Sequence, residues 1–75
     1  MKLSELNVGE KAKITLINGN KSIKRRIMDI GLIPGTVVEL IKYAPLGDPI
    51  QISAKDFDVI IRKEDANYIE IIKEN

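Results

Sequence analysis

Between Ser22 and Thr36 the chain carries a helix together with its stop signals, and this limits every element around it. Ile23, Ile27 and Ile30 fall at i, i+4 and i+7, a single apolar stripe. Ser22 is the predicted N-cap. Gly31 suits the position just past the helix, where left-handed backbone costs glycine nothing, and Leu32 then closes the end against Ile27. Pro34-Gly35 follows as the centre of a type II turn, proline supplying the negative φ and glycine the positive one. The helix is therefore short, and the chain must return at once to extended structure.

The flanking segments read as strands. Lys11 to Ile17 alternates, with Ala12, Ile14 and Leu16 on one face and Lys11, Lys13 and Thr15 on the other. Leu3-Ser4-Glu5-Leu6 reads as one helical turn capped by Ser4. Thr36 to Tyr43 is rich in β-branched residues, Ala44 to Pro49 breaks it, and Ile50 to Ser53 resumes. A turn at Lys55-Asp56 leads to a strand from Phe57 to Arg62. Lys63 to Asn67 suits one helical turn before a final strand, Tyr68 to Lys73. Five short strands and one short helix, with no linker or repeat, predict one mainly β domain over residues 1–75, a small barrel with the helix inserted after the first strand. SH3-like and OB-like topologies both satisfy this pattern.

Composition removes whole classes of function. Cysteine and histidine are absent, so disulfides, thiolate or imidazole metal sites and the commonest general base are all excluded. No catalytic residue and no cofactor are expected. Asp56 with Asp58, and Glu64 with Asp65, are the only paired acids that invite a hard cation, and two carboxylates supply only part of its shell. They read as solvated surface acids, so no metal site is expected. Twelve basic residues oppose eleven acidic ones, which leaves no field to steer nucleic acid or an anionic membrane. No apolar run approaches a membrane span or a signal core, so a cytoplasmic location is expected.

Arg26-Ile27-Met28-Asp29-Ile30-Gly31-Leu32-Ile33-Pro34-Gly35-Thr36 resembles the signature of the ferrous iron transport protein A (FeoA) family, with Ile30 where leucine is usual. Ala44-Pro45-Leu46-Gly47-Asp48-Pro49-Ile50 resembles that family's second block. Leu6 and Gly9, Ile60-Ile61-Arg62 and Glu64-Asp65-Ala66 complete an ordered set running from Leu3 to about Ile72. The resemblance implies an SH3-like barrel. It also implies an accessory role in ferrous iron uptake, exercised by contact with the cytoplasmic part of the membrane GTPase that imports the ion (FeoB-type). The same fold occurs as the C-terminal domain of iron-dependent repressors, so a regulatory interaction domain is the alternative. A nucleic-acid-binding barrel is the rival class, opposed by near-neutral charge and only three aromatic residues.

Two surfaces are candidates for partner binding. Lys24, Arg25 and Arg26, with Lys21 nearby, form the one basic cluster, and Arg25 stands four residues from Asp29 in a helical ion-pair spacing. Pro45 and Leu46 belong to a proline-bounded loop that places leucine where a hairpin needs only polar residues. Leu46 either folds back over the barrel end or stands exposed as an anchor.

Overall fold

The alternating segments become strands of one antiparallel sheet. In the computed structural model, which describes residues 1–74, β1 (Lys11–Ile17) leads into α1 (Lys21–Asp29). Then β2 (Val37–Tyr43), β3 (Ile50–Ser53) and β4 (Asp58–Ile61) follow as a meander. One helical turn, α2 (Lys63–Ala66), returns the chain to β5 (Ile69–Glu74) beside β1. The order across the sheet is β4-β3-β2-β1-β5, and a 3₁₀ turn at Leu3–Glu5 precedes it.

A single sheet can wrap a core only if it bends, and two irregularities bend this one. The register of β1 on β5 shifts between Ile14 and Leu16, and that of β2 on β3 between Leu40 and Lys42. An extra residue on one strand increases local twist and reverses the side-chain alternation beyond it. The expected inward set Ala12, Ile14 and Leu16 is therefore only partly correct. Ala12 and Ile14 are buried, but Leu16 lies past the shift opposite Glu70 and is 53% exposed. Ile17 takes the inward position instead, opposite Ile69.

The core is aliphatic throughout. Ile14, Ile27, Leu40, Ile50, Ile52 and Ile69 are among its fully buried side chains, while Tyr43 and Tyr68 pack only at its margin. No buried polar side chain interrupts it among the described residues. The Tyr43 hydroxyl reaches outward to donate to the Leu6 carbonyl at 2.5 Å, which joins the end of β2 to the 3₁₀ turn.

Both expected serine caps are displaced. The N-cap of α1 is Asn20, whose Oδ1 accepts from the Ile23 N–H at 2.9 Å, and Ser22 lies inside the helix. Asn is as good a cap as Ser, and the Asn18-Gly19-Asn20 turn presents it two residues earlier. At the first turn the cap position falls to Lys2, whose N–H is taken by Glu5 Oε1 at 2.7 Å. The Ser4 hydroxyl instead bonds the Asn67 side chain, tying this turn to the end of α2. Ile30 is the helix C-cap and is 40% exposed, so of the expected stripe Ile27 is buried and Ile23 packs partly buried against the core.

The glycine punctuation is as expected, with one addition. Gly31 has φ +98°, and its N–H meets the Met28 carbonyl at 2.9 Å. It is needed for a second reason, since a Cβ there would stand 2.8 Å from the Phe57 ring. Gly35 has φ +96°, and the Thr36 N–H reaches the Ile33 carbonyl at 3.1 Å across the turn. Between β3 and β4, the Lys55-Asp56 turn closes with the Ala54 N–H on the Phe57 carbonyl at 2.8 Å. No described non-glycine residue takes a positive φ, so this turn closes without a left-handed residue.

These positions separate backbone strain from lost packing. A Cβ on Gly35 would meet nothing within 4 Å, so Gly35→Val is opposed by conformation alone and should cost about 1–3 kcal/mol. Ile27 is 1% exposed, and Ile27→Ala should cost about 2–5 kcal/mol through lost transfer energy and a cavity. Chemical denaturation checks both, and an unchanged midpoint for Gly35→Val would refute the turn assignment.

Candidate functional site

The loop between β2 and β3 is held at three points. The Ala44 N–H donates to the Pro49 carbonyl at 2.9 Å, and the Gly47 N–H to the Ala44 carbonyl at 2.7 Å. The third tie reaches across the fold, where Asp48 Oδ1 accepts from the Lys63 N–H, the first of α2, at 2.9 Å. A carboxylate at that position satisfies a backbone donor the helix cannot use and suits its positive end. The Asp48–Pro49 peptide is cis. Pro45 is exposed, and Leu46 projects from the loop with 96% of its surface in solvent. The fold-back alternative is thereby excluded. Leu46 covers nothing.

The base of the loop joins the outer face of the sheet. Pro49, Ile50, Gln51 and Ile60 line one shallow depression with Lys42 and Ala44, and Asp48, Pro49, Ile60 and Arg62 line another. Ile60 is 69% exposed there, an apolar position that the pattern of β4 does not announce as exceptional.

The basic cluster divides. Arg26 reaches α2 and forms an ion pair with Asp65, whose side chain is mostly covered while that of Arg26 stays about half exposed. The Arg25–Asp29 spacing yields no ion pair among the described residues, the arginine-first order at i, i+4 being the less favourable one. Lys24 and Arg25 stay exposed and line an open groove with Lys21, Ser22, Met28 and Asp29. That groove shares no lining residue with those at the loop base. Of the five candidate residues, Pro45 and Leu46 thus occupy one surface and Lys24 and Arg25 another, while Arg26, also exposed, is paired with Asp65 of α2.

One member of each acidic pair has a local partner. Asp65 receives Arg26, and Asp58 accepts from Gln51 Nε2 at 3.5 Å. Among the described residues no three of His, Cys, Asp or Glu gather where a metal ion could be held. The Glu10 carboxyl is held below its ordinary range by the Lys73 ammonium at 2.7 Å and the Asn7 N–H at 2.7 Å. It stands at the start of β1 and joins β5 to the 3₁₀ region, which is a structural role. No helix among the described residues is long and apolar enough to cross a membrane.

A bent five-stranded antiparallel sheet with one helix after its first strand defines a mainly β, SH3-like domain. The FeoA domain model matches residues 1–73, and the chain belongs to the FeoA family. A Porphyromonas gingivalis protein described as an Fe(2+) transport protein A/Fe(2+) transporter FeoB fusion is 37% identical over 71 residues. That match takes in 95% of this chain and 8% of the fusion protein, so the chain spans a small part of that relative's length. The solution structure of FeoA from Chlorobium tepidum superposes with a TM-score of 0.85 at 37% identity, covering 95% of this chain and 68% of that one. FeoA from Stenotrophomonas maltophilia, described as a prokaryotic SH3 domain protein, has a TM-score of 0.80 at 24% identity, over 96% of this chain and 89% of that one. A manganese-dependent transcriptional repressor shares the fold alone, at 13% identity and a TM-score of 0.91, over 99% of this chain and 36% of its own.

The exposure of Leu46 makes a stability prediction. Leu46→Ala should leave the denaturation midpoint nearly unchanged, within about 0.5 kcal/mol as at ordinary surface positions. A loss comparable to that of Ile27→Ala would mean that Leu46 belongs to the core.

Proposed function

We propose that this chain is an accessory protein of ferrous iron uptake that docks on the cytoplasmic part of a FeoB-type transporter and acts by contact, without catalysis. One observation carries this reading: in the Porphyromonas gingivalis relative, the matching segment is joined to the transporter in a single polypeptide. Covalent joining keeps two modules at an effective concentration near the millimolar range, which serves a pair that bind each other.

The geometry supplies a suitable contact. Leu46 is an apolar side chain presented on a loop already tied at both ends, so little ordering cost attends its burial in a partner pocket. Lys24 and Arg25 lie on a separate exposed face, where charges act chiefly on encounter rate and its salt dependence.

Titration of the transporter's cytoplasmic domain with the native chain and two variants tests the proposal. Leu46→Ala should weaken binding by more than about 1 kcal/mol, the mark of a buried anchor. Lys24→Glu with Arg25→Glu should slow association and change its salt dependence while leaving dissociation nearly unaltered. A native chain with no measurable affinity for that domain would overturn the docking proposal.

A further inference from the structure

The two edges of the sheet are treated differently. On β5, Lys2 forms a bridge with Glu70, and the Ile71 N–H donates to the Met1 carbonyl at 2.7 Å, so that edge is partly covered. β4 pairs with β3 on one side, and among the described residues no strand pairs with the other. An uncovered edge is a row of unpaired donors and acceptors, a template for another strand.

The orientation of those groups follows from the turn. Ala54 and Phe57 form a hydrogen-bonded pair, and antiparallel pairs alternate from there. The backbone groups of Val59 and Ile61 therefore face β3, opposite Ile52 and Ile50, while those of Asp58 and Ile60 face the free edge. The Arg62 carbonyl is already taken by the Asp65 and Ala66 N–H groups, each at 3.0 Å, which leaves the Arg62 N–H for the edge. Side chains alternate as well. Ile61 is buried, and Asp58, Ile60 and Arg62 share the exposed face.

We propose that β4 is a self-association edge, pairing antiparallel with β4 of a second copy of this chain about a two-fold axis through Ile60. In that register Ile60 exchanges both backbone hydrogen bonds with its own copy, and each Arg62 N–H meets the other copy's Asp58 carbonyl. The side chains are complementary in the same register. The two exposed Ile60 side chains cover each other, and Asp58 of each copy stands opposite Arg62 of the other, the stabilising cross-strand arrangement. Centring the pair on Val59 sets Asp58 against Ile60, and centring it on Ile61 sets Arg62 against Ile60, so either shift loses the match. This self-complementarity is what selects a second copy over an unrelated strand, because an isologous interface must match itself. One short strand buries less than the roughly 1,200 Å² of a stable complex, so the dimer is transient and forms at high concentration. The inference does not depend on any transporter partner.

Sedimentation velocity over a concentration series tests it by charge exchange. The native chain should show reversible dimerisation as it approaches about 1 mM, weakened by salt. Asp58→Arg and Arg62→Asp should each raise the apparent Kd about tenfold or more, since like charges then face each other in both pairs. Arg62 makes no side-chain capping bond at α2, and aspartate is itself a good N-cap, so the second variant retains the fold. Mixing the two variants restores both opposite-charge pairs and should recover association, as should the double variant Asp58→Arg/Arg62→Asp by itself. A native chain that stays monomeric at about 1 mM would overturn the proposal, given an interface of this class. So would single variants that associate as the native chain does, or a mixture and double variant that both stay monomeric.

Discussion

An aliphatic core enclosed by a single sheet is the constraint on which the rest of this structure depends. Five strands laid flat would leave one face of Ile14, Leu40, Ile52 and Ile69 in water, and a flat sheet this small is marginal. Closure comes from the register shifts in β1 and β2, which coil both strands around the same side chains. Ile27 of α1 and Leu32, just beyond its end, then complete the burial. Because no polar side chain is buried among the described residues, packing and backbone pairing carry the stability.

The single turn of α2 links this core to the loop that carries Leu46. Its first N–H holds Asp48 of the loop, and its Asp65 holds Arg26 of α1. The Ser4–Asn67 bond and the stacking of Lys63 Nζ 5.8 Å from the Tyr43 ring add further ties at the same end. Exposed ion pairs contribute little energy each. Their value here is positional, since they set the orientation of two candidate surfaces relative to one scaffold. Leu46 is consequently presented by a fixed loop, and the backbone bonds that fix it do not involve its side chain.

Function in such a domain resides in surface chemistry, because the fold itself is shared with proteins of unrelated sequence. At 13% identity a manganese-dependent repressor has the same backbone over nearly the whole chain. Membership of the FeoA family therefore rests on the matched residues, and the proposed docking role on the fused relative, with the fold contributing the geometry.

Much of this was legible in the residues alone. The strand segments, the left-handed glycines at Gly31 and Gly35 and the aliphatic core all follow from local conformational preference and from which side chains water rejects. Those forces act over a few residues, so spacing records them. Three features were decided only by contacts distant in sequence. The bulge that turns Leu16 outward answers to the pairing of β1 with β5, more than fifty residues away in the chain. Among the described residues Arg26 alone of the basic cluster is ion-paired, because Asp65 is brought beside it, and Gly31 gained a second necessity from the Phe57 ring. The loop sequence allowed Leu46 either fate, and tertiary structure settled it by filling the barrel with other side chains and tethering Asp48 to α2.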